Sequence, residues 1–302
     1  MDKRATRQIT LYSILFLVML MFSGITFFLG LNYGVDKTEQ KYAHLRVDNS
    51  KIENYSYQQQ DLVTFYLTTY TAYEEFQTDW FESITAISTN RVSNPANVFD
   101  ELASSAKKRA VDAGSINMEG YGLLDTAQKS YIRSLNYFED AAKDLKSKTA
   151  KKTAAEAMTI ITNDDNYKIA IEQALKAQAS YFNAMHLWTV SIDPNISNEY
   201  SNDITQPISN WNSYPLITKM NIIANNLNDQ KIYKNVLPQD IVSRIDEFIA
   251  NGQAQQLSLT KVNEILELLL TTDAIRQGDY QQYKGNRYNE EFLPNIPFFN
   301  AY

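Results

Sequence analysis

From Ile9 to Leu31 the chain runs for 23 residues without a charge. At about 1.5 Å of helical rise per residue, such a segment spans a hydrocarbon core of roughly 30 Å. A removable export signal has a shorter apolar stretch of roughly 7–15 residues, closed by small residues at both cleavage positions. Around Ser23-Gly24 and Gly30 those positions meet Phe22 and Phe28, and the chain has no cysteine to carry a lipid anchor. The segment therefore reads as an uncleaved signal anchor. Lys3, Arg4 and Arg7 precede it, whereas Asp36, Lys37, Glu39 and Lys41 follow in near balance. The positive-inside bias then puts residues 1–8 in the cytoplasm as a short tail, with 9–31 in the bilayer. Residues 32–50 form a polar stalk, and everything beyond lies outside the cytoplasm. The expected location is the cell membrane, spanned once.

The balance of 28 Lys and Arg against 35 Asp and Glu becomes, without Asp2, Lys3, Arg4 and Arg7, 25 against 34, or about −9 for the exported part. That charge argues against a nucleic-acid partner. With no cysteine, disulfides, thiol chemistry and Cys-ligated metals are excluded together. The exported part must be held by an apolar core, and with 9 Gly and 7 Pro in 302 residues it has few helix breakers. An all-α fold follows.

Leu62, Tyr66, Thr69, Tyr73, Phe76, Trp80, Ser83 and Ile87 recur in steps of three and four, one stripe of a helix. Asn94-Pro95 offers a cap and a first-turn proline for a shorter helix that Gly114 ends. Leu124, Ala127, Tyr131, Leu135, Phe138, Ala142 and Leu145 form the next stripe. Ile171, Ala174, Gln178, Tyr181, Met185, Trp188 and Ile192 form the last, with Asn163 as its cap. Single-striped helices bury their stripes against one another, so residues 51–192 should make an antiparallel bundle, with Trp80 and Trp188 in one core. The hexamers "AQKSYI" (127–132) and "AQASYF" (177–182) lie fifty residues apart and suggest either a duplicated hairpin or two helices with similar packing needs.

Pro194, Pro207 and Pro215 among Asn and Ser mark 193–215 as a linker. Residues 216–302 should form a smaller C-terminal helical region: three helices, over 216–227, 238–250 and 259–275, and then an aromatic tail from Asp279 that is not helical in pattern.

No catalytic, cofactor or metal constellation emerges. His186 reads as a structural, hydrogen-bonded histidine beside Trp188, and His44 lies in the stalk. Glu82 in "FESIT" (81–85) sits on a polar face, without the downstream elements that a wall-cleaving acid needs. Asp193, Asn195 and Ser197 alternate like calcium ligands, but Asn198 replaces the turn glycine and Ile204 the bidentate Glu, leaving an Asx turn.

Two groups of residues suit an interaction. Lys143, Lys146, Lys148, Lys151 and Lys152 concentrate positive charge at a helix end, either as a solvated turn or as a contact for anionic polymers or headgroups. Phe292, Phe298, Phe299 and Tyr302 end the chain in a sticky segment that either folds back or docks on a partner. The functional expectation is a membrane-anchored extracytoplasmic scaffold, adaptor or accessory subunit of an envelope assembly. It would act by binding a membrane or envelope protein, with residues 9–31 in the lipid bilayer and no cofactor. A ligand-sensing ectodomain signalling through a membrane partner is the alternative, and a wall- or polymer-acting enzyme the third.

Overall fold

Where the stripes run, helices form, and their ends obey local chemistry. The computed structural model describes residues 56–92 and 94–300; the tail, span and stalk lie outside these residues. In order come α1 (Gln59–Phe65), a π-helical turn (Tyr66–Tyr70), α2 (Thr71–Ser88), α3 (Pro95–Ala113) and α4 (Leu123–Lys148). Then follow α5 (Ala154–Asn163), α6 (Asp165–Ile192), α7 (Ile208–Asn212), α8 (Leu216–Gln230), α9 (Pro238–Ala250), α10 (Gln253–Gln256), α11 (Val262–Thr271), α12 (Asp279–Arg287) and a 3-10 turn (Pro297–Phe299). No strand occurs among the described residues, in which one isolated bridge pairs Pro207 with Lys261. None of the described helices is long and apolar enough to cross a membrane.

α1 to α6 make an up-down-up-down bundle, and individual contacts between helices show the direction of each. Ser105 Oγ donates to Asp79 (3.0 Å) and Thr69 Oγ1 to the Ala113 carbonyl (3.0 Å), so α3 runs antiparallel to α1–α2. Leu123 N–H donates to the Tyr57 hydroxyl (2.7 Å) and Phe138 packs on Phe76 and Trp80, so α4 runs parallel to α1–α2. Ser134 Oγ donates to the Ala170 carbonyl (2.8 Å), fixing α6 antiparallel to α4. That register brings Ala127 level with Ala177. The two similar hexamers are thus facing helices at one crossing, where small residues are needed on both sides.

Most positions of the predicted stripes are buried; Tyr66, Ser83, Ile171 and Gln178 are half-buried and Ile192, the last of the α6 stripe, is exposed. Every member of the α4 stripe is 0–1% exposed. Asn94 caps α3 by accepting from Ala96 N–H, Pro95 is its first residue and Gly114 ends it. The π turn adds a residue to the α1–α2 rod, so Thr69 faces α3 while Tyr66 and Tyr70 stack at 5.5 Å. Those two rings line the seam toward α6.

Four expectations need correction. α5 lies in a stretch expected to carry no helix, and its signal is a capping box in which Thr153 accepts from Glu156 N–H and Glu156 accepts from Thr153 N–H. α6 is capped by Asp164, not Asn163, because α5 occupies Asn163. The segment from Asp279 is helical over α12: Gly278 takes φ +87°, which frees the chain to turn into it, and Pro294 and Pro297 act only beyond its end. Trp80 and Trp188 are both buried but in different clusters, because Trp80 stacks on Tyr167 at the start of α6 while Trp188 lies 21 residues on, about 30 Å along the helix.

α6 is buried on more than one face because α8 packs on its outer side. His186 Nε2 and Thr218 Oγ1 lie 3.2 Å apart, and Asn221 Nδ2 donates to the Tyr200 hydroxyl (2.6 Å). α8 in turn supports α9, and α9 supports α11 and α12. Two aromatic insertions from this outer layer close the α2–α6 seam. Tyr233 packs on Phe81 and hydrogen-bonds Tyr73 (2.8 Å), and Phe298 packs on Tyr66, Tyr70 and Phe182.

Candidate functional site

The lysine group sits where α4 meets α5, at the bundle end remote from Tyr57. Lys143 pairs with Glu139 one turn back, Lys146 with Asp100 of α3, and Lys148 with Asp164 (2.9 Å) and Asp144 (3.7 Å). The hydrogen bond that Lys148 donates to Asp164 raises its ammonium above its ordinary value. Three of the five charges therefore face carboxylates; the exposed pairs of Lys143 and Lys146 contribute little to stability, while Lys148 meets the buried carboxylate of Asp164. Lys151, in the left-handed conformation at φ +63°, and Lys152 are exposed in the turn.

The aromatic segment folds back. Phe299 is buried, with its ring against Tyr280 and its carbonyl accepting from Lys284 Nζ. Phe298 is half-buried in the α1–α6 seam, and its carbonyl accepts from Gln281 Nε2 (2.8 Å). Phe292 stacks on Trp188 yet is 49% exposed, close to Ile192 at the end of α6. Tyr302 lies outside the described residues.

Beneath this segment is a polar cluster that the sequence reading missed. Asp246 of α9 is buried, and its Oδ1 accepts from Trp211 Nε1 (2.7 Å) and Lys219 Nζ (3.1 Å). Its Oδ2 accepts from Lys219 Nζ (2.9 Å) and the Tyr288 hydroxyl (2.8 Å). Lys219 Nζ also lies 5.5 Å from the centre of the Trp211 ring. Its side chain is 10% exposed and that of Asp246 9%, so the pair is largely removed from water. Glu291 adjoins it, with Oε1 accepting from Leu216 N–H (3.1 Å). Burial pushes the Glu291 carboxyl up, while the Leu216 donor and the Lys219 charge pull it down and Asp246 pushes it up. The signal was there: Lys219 interrupts the apolar run "LITKMNII", where a lone charge needs a partner once buried.

Other titratable groups are explained by packing. Asp240 of α9 is buried and accepts from Tyr280 N–H (3.0 Å), capping α12; burial pushes its carboxyl up to about 6 against several backbone donors, with Asp279 adding to the rise. His186 is buried beside Tyr200, and burial holds its imidazole down to about 4. Asp193 Oδ1 accepts from Asn195 N–H (2.9 Å), an Asx turn, and Glu82 is exposed. Among the described residues no three His, Asp or Glu side chains converge as metal ligands. A cavity in the seam, lined by Tyr70, Tyr73, Tyr131, Gln178 and Tyr233, has about 10 Å³ of space, room for one water. No protein-family model, curated protein or solved structure matches this chain.

Proposed function

We propose that this is a membrane-anchored extracytoplasmic helical protein that acts by protein–protein binding, as a scaffold, adaptor or accessory subunit of an envelope assembly. The observation that carries the reading is the uncharged run Ile9–Leu31 behind Lys3, Arg4 and Arg7. The distribution of exposed apolar side chains supports it. Tyr57 lies beside Leu123, so the described chain enters the bundle at the end shared by the α3–α4 turn and the C-terminus of α6. Ile116, Tyr121, Ile192 and Phe292 are exposed at that end, and Leu67 and Val111 lie in the same half; the remaining large exposed apolar side chain among the described residues, Leu257, follows α10 in the outer layer. Exposed apolar side chains gathered in one region are a common mark of contact surfaces.

The lysine group sits at the other end of a 26-residue helix, about 39 Å away. The test is recovery of partners from detergent-solubilised membranes, together with protease treatment of intact cells or spheroplasts. The expected result is a stoichiometric envelope protein and digestion of everything beyond about residue 35. Recovery of a signalling subunit instead would favour a sensor, and a soluble secreted product starting near residues 25–35 would overturn the anchor.

A further inference from the structure

We propose that Lys219 and Asp246 condense into an intramolecular amide, a covalent cross-link between α8 and α9, with Glu291 relaying the proton. The amine and the carboxyl are already within 2.9 Å and 3.1 Å of each other, and largely out of water. The surroundings are those an acyl transfer needs. Trp211 Nε1–H points at Oδ1 and the Tyr288 hydroxyl at Oδ2, so whichever oxygen becomes the oxyanion during attack at Cγ has a fixed donor. Glu291 is anchored on Leu216 N–H at the start of α8, three residues before Lys219, and interacts electrostatically with both partners. Burial favours its protonated form.

One proton passes from the Nζ ammonium to the Asp246 carboxylate, giving a neutral amine and a carboxylic acid. The Nζ lone pair attacks Cγ and forms the C–N bond. Glu291 gives its proton to the departing hydroxyl and takes the second Nζ proton in its place, the C–O bond breaks and water leaves. An ammonium and a carboxylate become an amide and water, with no change in net charge or oxidation state, so no oxidant is required. Holding the two groups in contact supplies the effective concentration that an amine and a carboxylate lack in water. In a chain without cysteine, this is a route to a covalent staple that no redox change can open.

The test is mass spectrometry of the purified full chain under denaturing conditions, followed by tryptic mapping. The expected mass is lower than that of the processed sequence by one water, with a branched peptide joining Lys219 to Asp246 and no cleavage after Lys219. Lys219→Arg keeps a cation beside Asp246 and should give the full mass and a lower Tm. Asp246→Asn should link with loss of ammonia instead of water, and Glu291→Gln should slow linkage by about 100-fold or more. Unlinked Lys219 in wild-type protein that circular dichroism shows to be folded, after prolonged incubation, would overturn the cross-link. Linkage of Glu291→Gln at the wild-type rate would overturn the relay.

Discussion

The bundle of α1 to α6 and the layer of α8 to α12 bury their interiors differently. In the bundle the interior is rings and small apolar side chains: Trp80, Phe76, Phe99, Phe138 and Tyr167 at one end, Phe65, Tyr131 and Tyr181 nearer the other. Among its buried polar side chains, Gln128 is satisfied by Thr69 and by the backbone of Ala113, Ile116 and Met118. In the outer layer α9 buries Gln239, Asp240, Ser243 and Asp246 along with its aliphatic residues. Non-directional burial tolerates small shifts, whereas hydrogen-bonded charges fix one arrangement. The bundle is the part that can form on its apolar pattern; the outer layer is pinned to it by specific polar geometry.

The largest test of this contrast pairs two truncations. Trp80→Ala removes a fully buried ring and should cost about 3–5 kcal/mol, with any relaxation of the cavity lowering the figure. Asp246→Ala should cost a similar 3–5 kcal/mol by a different route, because it leaves Lys219 buried without its counter-charge. The routes separate on repair. The double substitution Lys219→Met, Asp246→Leu should recover the part of the loss that comes from the unpaired charge, though not what the cross-link adds, while no second change near Trp80 replaces the ring. Chemical denaturation measures both, and a double variant no more stable than Asp246→Ala would show that the unpaired charge carries none of the loss.

Next in size is a pH effect of opposite sign in the two regions. Asp240, raised from 3.8 to about 6, holds its proton more tightly folded than unfolded. Its contribution is therefore complete below about pH 4 and is lost as pH rises through 6. His186, lowered from 6.5 to about 4, contributes fully above pH 6.5 and loses that contribution as pH falls through 4. Each amounts to something on the order of 3 kcal/mol, so between pH 4 and 6 they nearly cancel. Relative to wild type, His186→Gln should gain Tm as pH is lowered from 7 to 4.5, and Asp240→Asn should lose it. Parallel curves for either variant and wild type would remove that group from the account.

Smaller again, Tyr288→Phe deletes one of the donors to Asp246 and should cost about 1–2 kcal/mol. Smallest is Lys143→Ala, which opens an exposed pair with Glu139 within α4 and should change stability by less than about 0.5 kcal/mol. A larger loss there would mean that the lysine group is structural and not merely displayed.

The contrast also explains what could be read beforehand. The α4 stripe and the Asn94-Pro95 start are legible because helical period and capping are local properties, each settled within a few residues. α5 was legible in principle through Thr153 and Glu156 but has only two buried apolar positions, Ala157 and Ile161, to show a period. α6 was read as one stripe because nothing in a helix's own period announces a second partner, and α8 covers its far side. The aromatic segment was legible as sticky; that Phe298 would fill the α1–α6 seam while Phe292 stayed half in water depends on a groove built by residues more than a hundred positions away.

By itself, then, the sequence determined an apolar, uncharged run of membrane-spanning length, a cysteine-free acidic chain beyond it, and helices whose stripes and caps are set by short-range periodicity and hydrogen bonding. Only the tertiary structure decided which charges would be paired and where. Lys219 and Asp246 are 27 residues apart on different helices, and Glu291 is a further 45 along the chain. Nothing local brings them together. They meet because α8, α9 and the segment after α12 converge on one point, and the cost of burying a charge without a partner leaves that convergence little freedom.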